Sequence, residues 1–189
     1  MAALADELAT TEAERRCLEA LRQACGEVEG PMERHAVRCF LLAERLAARR
    51  GLELDREAML CASLLHDAGL YPMISRGGVY TEDGGTFTRE LLEGMGWDDA
   101  RPGHVEQTIA LHHETRDQSD LGPEVELMRL ADRIELSGGL ITEGLDRSEV
   151  REIFGRVPRR GTYVHIGRLL APVLVRRPLS LLKIFRARG

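Results

Sequence analysis

The sequence lacks several features that mark whole classes of protein. No uninterrupted apolar run approaches the ~20 residues needed to cross a bilayer. Aromatic residues make up only 4% of the chain, with a single Trp, and this scarcity argues against an all-β protein. The four cysteines form no CxxC pair, which excludes a zinc ribbon or a thioredoxin motif. Residues 1–8 lack a basic stretch followed by an apolar one, so we expect no secretory signal and a cytoplasmic protein.

The residues that are abundant favour helices. The chain has 189 residues, of which 43% are hydrophobic and 30% charged, as in an ordinary globular protein. Ala, Leu, Glu and Arg dominate, and all four are good helix formers. We therefore predict an all-α fold.

Capping signals place most of the helices. Thr11 and Glu14 form a capping box, Pro31 suits the first turn of a helix, and Asp55 is a typical N-cap. We expect helices over about Thr11–Cys25, Pro31–Gly51, Asp55–Gly69, Phe87–Glu93, Asp98–His113, Pro123–Ser137 and Ser148–Phe154. Between them, Tyr71–Gly85 contains a proline and four glycines and is predicted to be a long loop.

Charge divides the chain into two unequal parts. Residues 1–150 carry 16 arginines against 30 acidic residues, whereas residues 151–189 carry ten basic residues and one acid. We predict a helical domain over 1–150 and a basic amphipathic helical extension over 151–189. The extension is expected to pack on the domain or on a second protomer in a homodimer, and an anionic membrane surface is the alternative.

The strongest chemical signal is the pair His66-Asp67, which directly follows Leu64-Leu65 near the end of a predicted helix. Burying two ionisable side chains is costly unless something satisfies them, and a metal ion would do so. Two further polar residues lie on apolar helix stripes: His35, in line with Cys39, Leu42 and Leu46, and Asp132, in line with Val125, Met128 and Leu136. Taken singly, His35 could be an ordinary core histidine, and Asp132 could pair with Arg129 or Arg133. Two histidines and two aspartates together suit a borderline divalent cation.

The order His35, His66-Asp67, Asp132 resembles the H…HD…D signature of the HD-domain superfamily of metal-dependent hydrolases. The segments MERHAVRCFLLAERLA, ASLLHDAGL, IALHHE and RLADRIEL look like the matching family segments, and the resemblance spans Met32–Leu136. It implies an all-α HD-domain bundle. It also implies that these four residues bind one divalent transition metal, with Mn, Fe, Co, Ni and Zn not distinguished.

The neighbouring pair His112-His113 bears on the number of metal ions. In dinuclear branches of the family, a histidine here and another some twenty-five residues earlier hold a second metal. Thr81–Glu90 has no histidine, so we expect one ion. His113 or His112 would then face the cleft and bind substrate or relay protons, or else one of them caps the end of its helix.

The predicted substrate contacts are Arg133, Arg76 and Tyr71. The planar guanidinium of Arg133 or Arg76 suits a phosphate or carboxylate, although a surface ion pair is the alternative for Arg76. Tyr71 could line the pocket or simply pack. Phosphatase and phosphodiesterase branches often carry Glu or Lys four residues after the HD histidine, where this chain has Leu70, and in this it resembles cyanamide-hydratase-like members.

These observations predict a metal-dependent hydrolase of the HD type, which activates water against a small-molecule substrate. A phosphate ester or nucleotide is the leading substrate class. The alternatives are hydration or hydrolysis of a nitrile-like or amide-like carbon, and a non-enzymatic metal-containing binding module. No nucleic-acid polymer is expected as a partner.

Overall fold

Helices make up the regular structure of the protein. A computed structural model describes residues 3–98 and 100–176, and within these ranges it has no strand. The α-helices are α1 (Leu4–Leu8), α2 (Glu12–Cys25), α3 (Pro31–Arg50), α4 (Arg56–Leu65), α5 (Tyr80–Glu93), α6 (Ala100–Leu111), α7 (Pro123–Leu136), α8 (Arg147–Arg156) and α9 (Thr162–Arg176), with short 3-10 turns at Ala68–Leu70 and Ser119–Leu121. The all-α prediction is confirmed.

Helix α3 lies at the centre of the bundle. It contacts α4, α7, α8 and α9, while α5 packs closely against α6. Phe40, Leu42, Leu60, Ile109 and Leu127 are buried in the shared core. Burying each such side chain stabilises the fold by roughly 1.5–3 kcal/mol, so this core holds the helices that carry the polar residues discussed below.

The predicted helix starts are confirmed where a capping side chain defines them. The Thr11 hydroxyl accepts a hydrogen bond from the Glu14 amide at 3.2 Å, and the Glu14 carboxylate accepts one from the Thr11 amide at 2.9 Å. Pro31 opens α3, and Gly51 ends it with a φ of 64°. Asp55 caps α4 through the Ala58 amide. The short helix α1 was not predicted.

Two predicted boundaries are wrong. Helix α4 ends at Leu65 rather than at Gly69, so His66 is its C-cap and Asp67 begins a separate 3-10 turn. Helix α5 begins at Tyr80, inside the segment predicted as a loop, and it contains Gly84 and Gly85. Glycine is unfavourable inside an isolated helix, but here it permits close packing. A Cβ on Gly85 would lie 2.9 Å from the carbonyl oxygen of Glu106 on α6.

The described part of the C-terminal extension packs on the rest of the chain. Leu169, Leu170 and Val173 of α9 contact a small apolar cluster formed by Leu70, Val79 and Tyr80. The division at residue 150 stays a prediction. Most of the predicted tail, with Leu179, Leu181, Leu182, Lys183, Ile184, Phe185, Arg186 and Arg188, lies outside the described residues. None of the helices in 3–98 and 100–176 is long and apolar enough to span a membrane.

Candidate metal centre

The four predicted metal ligands come together at the middle of the bundle. His35 lies on α3, His66 and Asp67 follow α4, and Asp132 lies on α7, and all four are buried. The Nε2 atom of His35 lies 3.0 Å from Nε2 of His66, 3.4 Å from Oδ2 of Asp67 and 3.5 Å from Oδ1 of Asp132. From His66 Nε2, the same two aspartate oxygens are 3.5 and 4.0 Å away.

These separations suit donors that share one cation. Atoms bound at about 2.0–2.2 Å to a tetrahedral or octahedral ion lie roughly 2.8–3.6 Å apart when they are neighbours, and about 4.0–4.4 Å apart when they are opposite each other on an octahedral ion. Two imidazole nitrogens and two carboxylate oxygens also form the mixed nitrogen and oxygen set that a borderline divalent cation accepts. The geometry therefore fits a metal ion better than it fits a set of isolated ion pairs.

The other nitrogen of each histidine is already engaged. Nδ1 of His66 donates to the carbonyl oxygen of Ser63 at 2.8 Å, and Nδ1 of His35 lies 3.0 Å from Oε2 of Glu135. The carbonyl of Ser63 thus fixes the ring of His66, and the Glu135 carboxylate lies beside Nδ1 of His35. Both rings direct Nε2 to the centre, which is the orientation that outer contacts give to metal-binding histidines. Only one positive species, a proton or a metal ion, can lie between the two Nε2 atoms.

The surroundings favour positive charge at that position. Burial alone would lower the pKa of His35, but the neighbouring Cys39, Asp67 and Glu135 outweigh it and hold that pKa well above its usual range. Burial lowers the pKa of His66 to about 3. Burial raises the pKa of Asp132 to about 7, although His112 and His35 oppose the shift. A divalent cation at this position would compete with a proton for the same nitrogens.

Four buried polar atoms around this centre form no hydrogen bond within the described residues: Oδ1 of Asp67, Oδ2 of Asp132, Nε2 of His112 and Oε2 of Glu135. Oε2 of Glu135 lies at ion-pair distance from His35, and a cation would satisfy the other three, which are costly to leave unpaired in a protein interior. Cys39 is a weaker candidate ligand, although its sulfur lies 3.9 Å from Nε2 of His35. Burial raises the pKa of its thiol to about 12, so the thiolate that binds metals is disfavoured.

His112 and His113 follow the end of α6 and take different positions. His112 is buried, with Nδ1 donating to the Ile109 carbonyl at 2.7 Å and Nε2 lying 3.6 Å from Oδ1 of Asp67. His113 lies with Nδ1 3.3 Å from Oδ2 of Asp132 and with Nε2 2.5 Å from the Tyr80 hydroxyl. Burial and the neighbouring His112 hold the pKa of His113 well below its usual range, and burial raises that of Tyr80. The Tyr80 hydroxyl and the imidazole of His113 therefore form a hydrogen-bonded pair beside the centre.

A cavity of about 510 Å³ opens beside the centre. It is lined by His112, His113, Glu114, Thr115, Asp132, Arg133, Leu136, Ser137 and Ile141. Arg133 is 46% exposed and lies 3.3 Å from a Glu143 carboxylate oxygen, so its guanidinium is within reach of the cavity and is held by a surface ion pair. Arg129 pairs with Glu126 instead, so neither arginine neutralises Asp132.

The structure places the remaining sequence-predicted residues elsewhere. Arg76 lines a separate cavity of about 470 Å³ beneath α9, where it pairs with Glu90. Tyr71 is buried, and its hydroxyl lies 2.7 Å from Nε2 of His165 on α9. Leu70 belongs to the apolar cluster that α9 covers. Their roles as substrate contacts stay predictions, and the geometry gives most support to Arg133.

Sequence reasoning missed two residues near the centre. Glu135 lies one turn after Asp132 and contacts His35. Its spacing of three residues from Asp132 places both acids on one face of the helix, and this spacing could have pointed to Glu135. Arg38 is fully buried beside Glu135, one turn after His35. Neither could be linked to the centre without knowing that α3 and α7 pack together.

Comparison with known proteins agrees with this geometry. A family model of the HD domain matches residues 32–137, which is more than half of the chain and includes all four candidate ligands. No curated protein matches the chain. Proteins with this domain bind divalent metal ions and form a superfamily of metal-dependent phosphohydrolase type. The chain belongs to the HD-domain family.

Proposed function

We propose that the protein is a metal-dependent hydrolase that acts on a small phosphate ester or nucleotide. The observation that carries the proposal is the convergence of His35, His66, Asp67 and Asp132 beside an open cavity. These four residues would hold one divalent transition metal ion. When bound, such an ion supplies Lewis acidity and lowers the pKa of a water molecule towards neutrality.

The protein's own residues would position the substrate. Arg133 lies at the cavity with a planar guanidinium, which suits the paired oxygens of a phosphate. His113 lines the same cavity, with Nδ1 3.3 Å from Oδ2 of Asp132 and Nε2 at hydrogen-bond distance from the Tyr80 hydroxyl. These contacts would fix the ring of His113 beside the substrate. The cavity volume of about 510 Å³ falls in the range of small-molecule sites.

Hydration of a nitrile-like or amide-like carbon is the second candidate. It is favoured by Leu70, which provides neither the acid nor the base found in phosphatase and phosphodiesterase branches. Leu70 packs under α9 and offers no charge to the centre. The third candidate is a non-enzymatic binding module, which would bind the metal ion but catalyse no reaction.

Metal content and turnover separate these functions. We expect His66→Ala and Asp67→Ala to lose bound metal in elemental analysis, while His104→Gln, a histidine variant outside the centre, keeps it. The wild type should hydrolyse phosphate monoesters, and Arg133→Ala should raise KM about tenfold, the loss typical of one charged hydrogen bond. Turnover of cyanamide alone would favour the second candidate. Metal binding without turnover of either substrate would support the binding module.

A further inference from the structure

Arg38 connects the metal centre to a part of the chain beyond the matched domain. Its guanidinium is fully buried and uses all its donors. Nε donates to Oε1 of Glu135 at 2.8 Å, and Nη2 donates both to this oxygen and, at 2.9 Å, to the Thr162 hydroxyl. Nη1 donates to the carbonyl oxygens of Pro158 at 3.2 Å and Val157 at 3.4 Å. Three of its four partner residues therefore lie in 157–162.

Glu135 is the member of this network that touches a candidate ligand directly. Its Oε2 lies 3.0 Å from Nδ1 of His35, while its Oε1 receives Arg38. Arg159, from the same C-terminal segment, donates to the Glu135 main-chain carbonyl at 2.8 Å. Glu135 is thus held from both sides, and its second carboxylate oxygen points at the imidazole of His35.

Losing the C-terminal contacts would leave Arg38 with unsatisfied donors in the core. A buried guanidinium in that state is strongly unfavourable, so Arg38 and Glu135 would have to move together. His35 would then lose the carboxylate that lies 3.0 Å from its Nδ1, on the side of the ring opposite the centre. Outer contacts of this kind typically change metal affinity 10–100-fold.

We propose that residues 157–162 form part of the metal centre. They position His35 through Arg38 and Glu135, and so raise the affinity of the protein for a divalent cation. Arg38, Glu135 and Thr162 are positioning residues, and none of them binds the ion. The inference rests on the proposed function, because it takes His35 as a metal ligand.

Coupling between two sites acts in both directions. If docking of 157–162 strengthens metal binding, metal binding must strengthen the docking of 157–162. The amide of His165, which donates to the carbonyl of Gly161 at 2.9 Å in the first turn of α9, would then exchange its hydrogen more slowly when metal is bound. A segment that only packs on the surface would show no such dependence.

Thr162→Val tests the proposal with little change in shape, since valine replaces a hydroxyl by a methyl group. Thr88→Val is the matched control: Thr88 is equally buried, and its hydroxyl binds a main-chain carbonyl within α5. Affinity for Co²⁺ is measured by competition with a chromophoric chelator. We expect Thr162→Val to weaken binding about tenfold and Glu135→Gln 10–100-fold, with Thr88→Val equal to the wild type.

Hydrogen exchange provides the second measurement. Adding Co²⁺ should slow exchange at the start of α9 in the wild type and in Thr88→Val, and much less in Thr162→Val. Equal Co²⁺ affinities for Thr162→Val, Thr88→Val and the wild type would overturn this inference alone. A wild type that binds no divalent cation would overturn the proposed function and the inference with it.

Discussion

At the scale of single residues, neighbours rather than residue type decide what each histidine does. Burial lowers the pKa of His66 to about 3, whereas the groups around His35 hold its pKa well above the usual range. His104 differs from both, because it lies half-buried on α6 with Nε2 2.9 Å from a carboxylate oxygen of Glu124. That hydrogen bond raises the pKa of His104, and it lowers that of Glu124 against the effect of burial.

The His104–Glu124 pair predicts a pH-dependent contribution to stability. Because the folded protein raises the pKa of His104, the contribution is complete below the unfolded value of about 6.5 and is lost as pH rises through the folded value. We expect His104→Gln to lower the free energy of unfolding by about 0.5–1 kcal/mol at pH 6 and by almost nothing at pH 9. Urea unfolding of both proteins at the two pH values measures this, and a pH-independent difference would contradict it.

At the scale of elements, close packing between the main chain of the 3-10 turn and that of α5 positions the start of α5. Gly69, in the 3-10 turn after the HD pair, packs directly on α5: a Cβ there would lie 1.9 Å from the carbonyl oxygen of Tyr80 and 2.9 Å from the amide of Gly84. This contact brings the Tyr80 hydroxyl to His113. Packing therefore requires glycine at position 69. Gly69 affects the centre only indirectly, through the position of Tyr80.

Substitution at this contact has a predictable cost. Gly69→Ala must push α5 away from the turn, and we expect a loss of about 1–3 kcal/mol in the free energy of unfolding, as for an overpacked core. Gly103→Ala is the control, because Gly103 lies inside α6 and a Cβ added there would meet nothing within 4 Å. That variant should gain about 0.5–1 kcal/mol from helix propensity. Thermal unfolding compares them, and a neutral Gly69→Ala would show that the contact is not tight.

At the scale of the whole molecule, one buried centre joins elements that are far apart in the chain. Helices α3 and α7 and the turn after α4 each supply part of it, and residues 157–162 reach it through Arg38. A cation held there would bind the folded protein and not the unfolded chain, which has no assembled site. Stability should therefore depend on metal concentration.

Metal removal gives the corresponding prediction. At a free metal concentration of 100 times Kd, binding stabilises the folded state by about 2.7 kcal/mol, which for a chain of this size raises Tm by roughly 5–10 °C. Chelation should reverse the shift. We also expect one ion per chain, because α5 presents Tyr80 to His113 and has no histidine in residues 81–90. Saturation at two equivalents would show that His112 and its neighbours form a second site.

The local features of this protein could be predicted from its sequence. The Thr11–Glu14 capping box, Pro31 and Gly51 act within a few residues, so the limits of α2 and α3 could be predicted. The four candidate metal ligands could also be predicted, namely the His66-Asp67 pair and the two polar residues on apolar helix stripes, His35 and Asp132. An ionisable side chain in the core is costly unless a partner such as a metal ion satisfies it.

How these parts meet depends on packing between segments that are far apart in the chain. Helix α4 ends at Leu65 and α5 begins at Tyr80 because packing between distant segments outweighs local propensity. Glu135 and Arg38 became part of the centre through contacts across α3 and α7, which no periodicity reveals. Arg133 reaches the cavity beside the centre while Arg76 does not, since each arginine's position depends on where its whole element packs.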